Sequence, residues 1–163
     1  MNYQLLDTPI GRLRLLSTGT HLAAIEFSNQ HSDTAGDTCR SDEVLERSAS
    51  QLQEYFAGRR KTFDLPLAPR GTDFQCCVWR ALSDIPWGTV CSYADIARAI
   101  DRPKAVRAVG AANGRNPLPI VVPCHRVIGS DGSLTGFAGG LEMKRKLLEL
   151  EGSLADRQAG MGF

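Results

Sequence analysis

The chain contains no Cys-x-x-Cys pair, and its three histidines, His21, His31 and His125, do not sit at finger spacing from any cysteine. This argues against a structural zinc site, which draws its ligands from such close pairs, and no metal or cofactor is expected. No apolar run approaches the roughly 20 residues that a membrane-spanning helix needs. Met1–Gly11 carries Asp7 and Pro9 where an export signal would place basic and then apolar residues. Cytoplasm is therefore the expected compartment. Five cysteines, Cys39, Cys76, Cys77, Cys91 and Cys124, make an odd number, and a disulfide framework is not expected. A large net charge is also absent, the balance being +1 over 163 residues.

The chain does have a globular composition, 42% hydrophobic and 23% charged, on a length that suits one ordinary domain or two small ones. Its charge is uneven. Residues 1–68 hold 7 Lys+Arg against 9 Asp+Glu, and residues 69–163 hold 12 against 9. Within Ser92–Arg126 the count is 6 against 2, enough local positive charge to hold a compact polyanion.

The patterning predicts an α+β fold in two parts. Gln4–Leu6, Leu13–Leu16 and Leu22–Phe27 read as strands between turn signals, and Asn29–Arg40 as a polar loop. A helix is expected over Asp42–Ala57, with Val44, Leu45, Leu52, Tyr55 and Phe56 on one face and Gly58 as its stop. Thr62–Leu67 reads as a last short strand. Residues 1–68 thus form a small structural domain of sheet plus helix, and Pro66–Gly71 is the linker. From about residue 72 to 163 the pattern is mainly helical. Phe74, Cys77, Val78, Ala81, Leu82 and Ile85 step by three and four behind a cap at Thr72 or Asp73, which assigns Cys76 and Cys77 to packing.

Pro86-Trp87-Gly88 breaks that helix. Ser92-Tyr93-Ala94-Asp95 then reads as a capping box opening a short helix to Ile100. After Asp101-Arg102-Pro103 comes a second helix, about Lys104–Asn113, rich in small residues and carrying Arg107. Two short helices across a tight turn suggest a helix-turn-helix. Pro119–Val122 is a short buried run, and Gly129–Gly140 is a glycine-rich loop. The last helix, Leu141–Leu150, is expected to turn Leu141, Leu147 and Leu148 inward and to leave Lys144-Arg145-Lys146 partly in solvent.

Pro123-Cys124-His125-Arg126 carries the chemistry. An ordinary thiol is only about 3% thiolate at pH 7, and lowering its pKa to about 6 would raise that roughly thirty-fold. A histidine relay with a third group orienting the ring achieves such activation. On an extended chain His125 would face away from Cys124, so a turn or a bridging water is required. Glu151 is a possible orienting carboxylate.

The string Asn116–Gly129 closely resembles the active-site segment of the O6-alkylguanine-DNA alkyltransferases. The resemblance extends through Gly88–Tyr93, Ala105–Asn113, Gly136–Gly140 and Leu147–Gly152, covering about Phe74 to Gly152, while residues 1–70 match only in general character. It implies single-turnover DNA repair in which a methyl or other alkyl group leaves O6-alkylguanine, or O4-alkylthymine, for Cys124. Residues 72–163 would then be the DNA-binding and alkyl-acceptor domain of a monomer acting on double-stranded DNA.

In that family pattern His125 takes the thiol proton through a water, Glu151 holds His125, and Asn116 braces the turn carrying the cysteine. Tyr93 lies near the flipped nucleotide, as a catalytic and DNA-contacting side chain. Arg107 enters the duplex and fills the gap left by the base, with Ser92, Ala108, Gly110 and Arg115 completing the DNA surface. Val127, Gly136, Phe137 and Ala138 line the guanine pocket. Phe137 and Ala138 depart from the pattern, since family members often carry a tyrosine and some a serine at these places. The matching rivals, a cysteine hydrolase and a non-catalytic lesion binder, lack respectively the helix-turn-helix with Arg107 and the reactive cysteine.

Overall fold

Pro9 and Ile10 make a two-residue turn between Thr8 and Gly11, and Gly11, at φ 115°, takes the left-handed conformation that the turn needs. Thr8 Oγ1 locks it by donating to Gly11 O at 2.6 Å. The flanking strands, β1 (Asn2–Thr8) and β2 (Gly11–Ser17), pair antiparallel, and β3 (Leu22–Phe27) continues the meander on β2. Leu13, Leu15, Leu22, Ile25 and Phe27 are buried, and helix α1 (Glu43–Phe56) lays Val44, Leu45, Leu52 and Tyr55 over this sheet. In this computed structural model, residues 1–30 and 36–153 are described, so His31 lies outside the described residues. The chain divides into two units, Met1–Arg70 and Gly71–Phe163.

Asp42 ties the first unit together. As the N-cap of α1 its carboxylate accepts from Leu45 N–H at 2.9 Å, from Asn2 Nδ2 at 2.9 Å and from Ser17 Oγ, joining the helix to β1 and β2. Burial works against its ionisation, but the bonds from Ser17, Asn2 and Leu45 outweigh it and hold the carboxyl below its ordinary 3.8.

Residues 29–40 are not all loop, because a 3-10 turn covers Ser28–Gln30 and a two-residue strand, β4 (Thr38–Cys39), pairs parallel with β1. Thr62–Leu67 is not a strand, since Pro66 has no N–H to give a ladder and only Leu67 bridges to Leu22. Gln51 holds that segment instead, donating to Asp64 O at 3.0 Å and accepting from Asp64 N at 2.9 Å.

The second unit is mainly helical, so the α+β fold expected is the one observed. Thr72 and Gln75 form a capping box at α2 (Asp73–Ser83), and Ser92 and Asp95 form another at α3 (Tyr93–Ala99). After a turn through Asp101 (φ 63°), α4 (Val106–Gly114) packs on both α2 and α3, and Trp79 Nε1 donates to Ala112 O at 2.8 Å across the α2–α4 contact. Cys77 is exposed and Cys76 half-buried, contrary to their packing assignment. The face of α2 is rotated so that Trp79 turns inward beside Val78 and Leu82. A short parallel pair, β5 (Cys91–Ser92) with β6 (Val127–Ile128), and helix α5 (Leu141–Leu150) complete the unit.

Asp42→Ala removes the cap and the anchor of α1. It should lower folding stability by about 1–2 kcal/mol in urea titrations at pH 7. Because the carboxyl is held below 3.8 in the folded chain, its contribution is complete above that value and fades as pH falls below it. The difference between wild type and Asp42→Ala should shrink in acid, and a difference that grows there would contradict this role.

Candidate active site

Asn116 shapes the turn that delivers Cys124. Its Oδ1 accepts from Leu118 N at 3.0 Å and its Nδ2 donates to Val122 O at 2.8 Å, closing a buried loop in which Ile120 takes φ 75°. Pro119–Val122 is thus buried apart from half-buried Val121, and it is not extended. From α4, Asn113 Nδ2 donates to Cys124 O at 3.4 Å. A 3-10 turn, Cys124–Arg126, follows Pro123, with Arg126 N donating to Pro123 O at 3.0 Å. This is the turn that the Cys-His dipeptide required, and it sends both His125 and Arg126 into the interior.

There they meet Glu151, the C-cap of α5. His125 Nε2 lies 2.7 Å from Glu151 Oε2. Arg126 donates from Nε to Oε1 at 2.8 Å, from Nη2 to Oε2 at 3.0 Å, and from Nη1 to Ile85 O at 2.5 Å. The side chains of His125 and Glu151 are 0% exposed. Arg126 is the functional-site residue that sequence reasoning missed. Its place in the Cys-His-Arg run was visible, but nothing in one dimension shows that an arginine points inward.

Electrostatics correct the expectation of a resting thiolate. Burial pushes the Cys124 thiol up from its ordinary 9.0, and the influence of Asn116 and of the Lys144 charge offsets only part of this. Burial likewise pushes His125 down from 6.5 despite the hydrogen bond and charge of Glu151. At neutral pH the pair is therefore thiol and imidazole, not thiolate and imidazolium.

Lys144, expected partly in solvent, is fully buried, with a pKa pushed down to about 8 by desolvation. Its Nζ donates to Val127 O at 2.6 Å and Thr135 O at 2.7 Å, so the backbone hydrates it in place of water. Leu141, expected inward, is 50% exposed, because it opens α5 at the loop end. Tyr93, at the start of α3, donates its hydroxyl to Thr135 O and accepts from Thr135 Oγ1, both at 3.1 Å. Tyr93 and Lys144 thus hold the loop containing Gly136, Phe137 and Ala138 at one carbonyl, while Val127 sits buried on β6.

The structure groups Cys124, His125, Glu151 and Asn116 around one turn, and Tyr93, Gly136 and Val127 around Lys144. The remaining residues are not at that centre. Arg107, Ala108 and Arg115 are exposed on or just after α4, and Ser92 caps α3. Gly110 faces Tyr93, and a Cβ there would lie 3.9 Å from the ring. Among the described residues, no cluster of His, Cys, Asp and Glu could hold a metal ion, and no helix is long and apolar enough to cross a membrane.

The second helix of a helix-turn-helix is thus bonded to the turn of a buried cysteine, with histidine and carboxylate beside it. Residues 73–153 match the model of the 6-O-methylguanine DNA methyltransferase DNA-binding domain, and residues 1–69 match that family's ribonuclease-like domain. The chain belongs to the 6-O-methylguanine DNA methyltransferase family. It is 46% identical over 153 residues to the methylated-DNA–protein-cysteine methyltransferase of Methanosarcina barkeri, covering 93% of this chain and 97% of that protein. It is 48% identical to the constitutive enzyme of Bacillus subtilis, covering 91% and 94%. Among solved structures, Mycobacterium tuberculosis OGT in complex with DNA matches with TM-score 0.87 and 48% identity, covering 93% of this chain and 92% of that one.

Two pH effects should follow. Labelling of Cys124 by a small haloacetamide should rise steeply through pH 9 rather than level off near pH 6, as peptide mass spectrometry would read; a plateau near pH 6 would mean a resting thiolate. Because folded His125 resists protonation while the unfolded chain binds a proton near 6.5, the stability it contributes is complete above 6.5 and lost as pH falls below it. Melting temperature should fall across that window, and less so in His125→Gln.

Proposed function

We propose that the chain repairs DNA by transferring a methyl or other alkyl group from O6-alkylguanine, and from O4-alkylthymine, in duplex DNA to the sulfur of Cys124, once per molecule, acting as a monomer in the cytoplasm. The observation that carries the reading is the buried run of Cys124, His125 and Glu151 within a unit that matches the family's DNA-binding domain. The relatives are named methylated-DNA–protein-cysteine methyltransferases, and one similar structure is a complex with DNA. Five free cysteines fit a reducing compartment.

The alkylated oxygen lies inside the base stack, so the nucleotide must be turned out, at a cost of a few kcal/mol. Arg107, exposed in the first turn of α4, enters the gap. Ala108 and Gly110 keep that helix slim enough to approach the duplex, while Ser92, Tyr93 and Arg115 contact the backbone. Val127 and the Gly136–Ala138 loop hold the base.

Glu151 engages Nε2–H of His125, which leaves the lone pair of Nδ1 to take the thiol proton, directly or through a water. The sulfur attacks the alkyl carbon, the carbon–O6 bond breaks, and its electron pair goes to guanine. The Tyr93 hydroxyl, its proton turned from Thr135 O to the purine, hydrogen-bonds the departing guanine, which takes up the equivalent of the proton His125 received, so that neutral guanine and neutral imidazole remain. Asn116 keeps the cysteine turn in place. The product thioether has no nucleophile able to reverse it, so each chain acts once. Phe137 and Ala138 offer packing without side-chain hydroxyls.

Incubation with a duplex containing O6-methylguanine should add one methyl to the Cys124 peptide and plateau at one per chain whatever the excess of DNA. Sustained turnover, or label elsewhere, would refute the reading. Cys124→Ser should abolish transfer and keep DNA binding. Tyr93→Phe should slow single-turnover transfer by about ten-fold or more, as loss of a positioned donor does. Arg107→Ala should impair the duplex reaction more than reaction with free O6-alkylguanine base, which needs no extrusion; equal losses would make Arg107 structural.

A further inference from the structure

Arg126 is as deeply buried as the residues around it, yet alkyl transfer as proposed gives it no task. Its guanidinium forks onto both oxygens of Glu151, at 2.8 and 3.0 Å, and its third nitrogen holds Ile85 O. One of those carboxylate oxygens is the one facing His125 Nε2 at 2.7 Å. Three groups out of water therefore share one site: a negative charge, a permanent positive charge, and a ring that can take a proton.

The charge balance decides where the proton sits. A guanidinium does not lose its proton in proteins, so Arg126 neutralises Glu151 and the ring can stay neutral. Were that cation absent, a buried, uncompensated carboxylate would draw a proton into the pair. On His125 it makes imidazolium, with N–H on both nitrogens. On Glu151 it makes a carboxyl that donates to Nε2 and leaves the ring proton on Nδ1. In both cases Nδ1 is lost as an acceptor.

We propose that Arg126 is a positioning residue of the alkyl transfer: its fork aims the Glu151 carboxylate at His125 Nε2 and supplies the pair's positive charge, so that the ring presents a bare Nδ1 to the Cys124 thiol. The inference rests on His125 being the proton acceptor. The other charged group facing the ring is Lys144 from α5, whose Nζ is engaged by the carbonyls of Val127 and Thr135. From α2, which also packs on this turn, the buried side chains are Val78, Trp79 and Leu82, none of them ionisable. Burial and the charges of Arg126 and Lys144 oppose protonation of His125, and Glu151 favours it. A lysine at 126 would keep the charge but could not fork onto both oxygens.

The test uses the full chain with 15N-labelled histidine, comparing wild type, Arg126→Lys and Arg126→Gln. In wild type at pH 7, the His125 nitrogen shifts should report a proton on Nε2 and none on Nδ1. In Arg126→Gln, Nδ1 should be protonated at pH 7 and transfer from O6-methylguanine duplex should be at least about ten-fold slower, equivalent to one unit of pKa, recovering as pH rises. Affinity for unmodified duplex should hold within about two-fold. Arg126→Lys should keep Nδ1 bare at pH 7 through its charge but recover only part of the rate, because an ammonium cannot fork onto both oxygens of Glu151. A rate loss in Arg126→Gln that is the same at every pH, with Nδ1 still bare, would overturn the proposal and leave Arg126 a structural brace. Should Arg126→Gln fail to fold, the wild-type spectrum decides, since a protonated Nδ1 at pH 7 overturns it alone. Absence of methyl on Cys124 in wild type would instead defeat the functional reading, which the nitrogen shifts do not measure.

Discussion

A carboxylate taken out of water must be given charge and hydrogen bonds or be protonated, and Glu151 imposes that condition on the second unit. Its partners, His125 and Arg126, are neighbours in the chain, and both can reach it only if the backbone turns between Cys124 and Val127. That turn in turn needs the loop before it to be rigid, which Asn116 secures by bonding two backbone groups of the Leu118–Val122 bend. Arg126 carries the same constraint to the end of α2 through Ile85 O. The cysteine is thereby held as the near end of a chain of fixed contacts whose far end is the last turn of α5.

The same enclosure sets the resting chemistry. A buried thiol is held as the neutral acid, and a buried imidazole as the neutral base. A centre of this kind is quiet at rest, because neither the thiol nor the ring carries charge at neutral pH. Protection from adventitious alkylation and oxidation follows, because the thiolate is the reactive form. That protection suits a cysteine that, on the function proposed above, is consumed by a single reaction.

Around this centre the buried cation Lys144 acts as a strut. Its ammonium is solvated by the carbonyls of Val127 and Thr135, and the second of these also accepts from Tyr93. Strand β6, the glycine-rich loop and the start of α3 are therefore joined through two carbonyl oxygens. Asp42 has an equivalent place in the first unit, where one carboxylate joins a helix cap to two strands. In both units a charged side chain with several partners, half-buried in Asp42 and fully buried in Lys144, defines geometry that apolar packing, being non-directional, would leave loose.

Periodicity and turn chemistry were enough to read the hairpin strands, helix α1 with its stop, both halves of the helix-turn-helix and the Ser92–Asp95 cap, because those signals are local. From the residues alone Glu151 was legible only as a possible orienting carboxylate, 26 residues from His125, and the resemblance to the family's ordered motifs gave it that role. What the chain alone could not disclose was direction. Lys144 in a basic run, Arg126 beside a histidine and Cys77 on an apolar stripe each pointed the opposite way from, or in a way unassigned by, their residue type. Whether a charged side chain is solvated by water or by backbone carbonyls depends on which distant segments close over it. For the same reason the thiol stayed protonated, whereas Thr62–Leu67 stayed out of the sheet for a local one, the missing N–H of Pro66. Residue type and spacing determined the elements and the chemical groups available; tertiary structure decided which charges were buried together, and so which of those groups could give or take a proton.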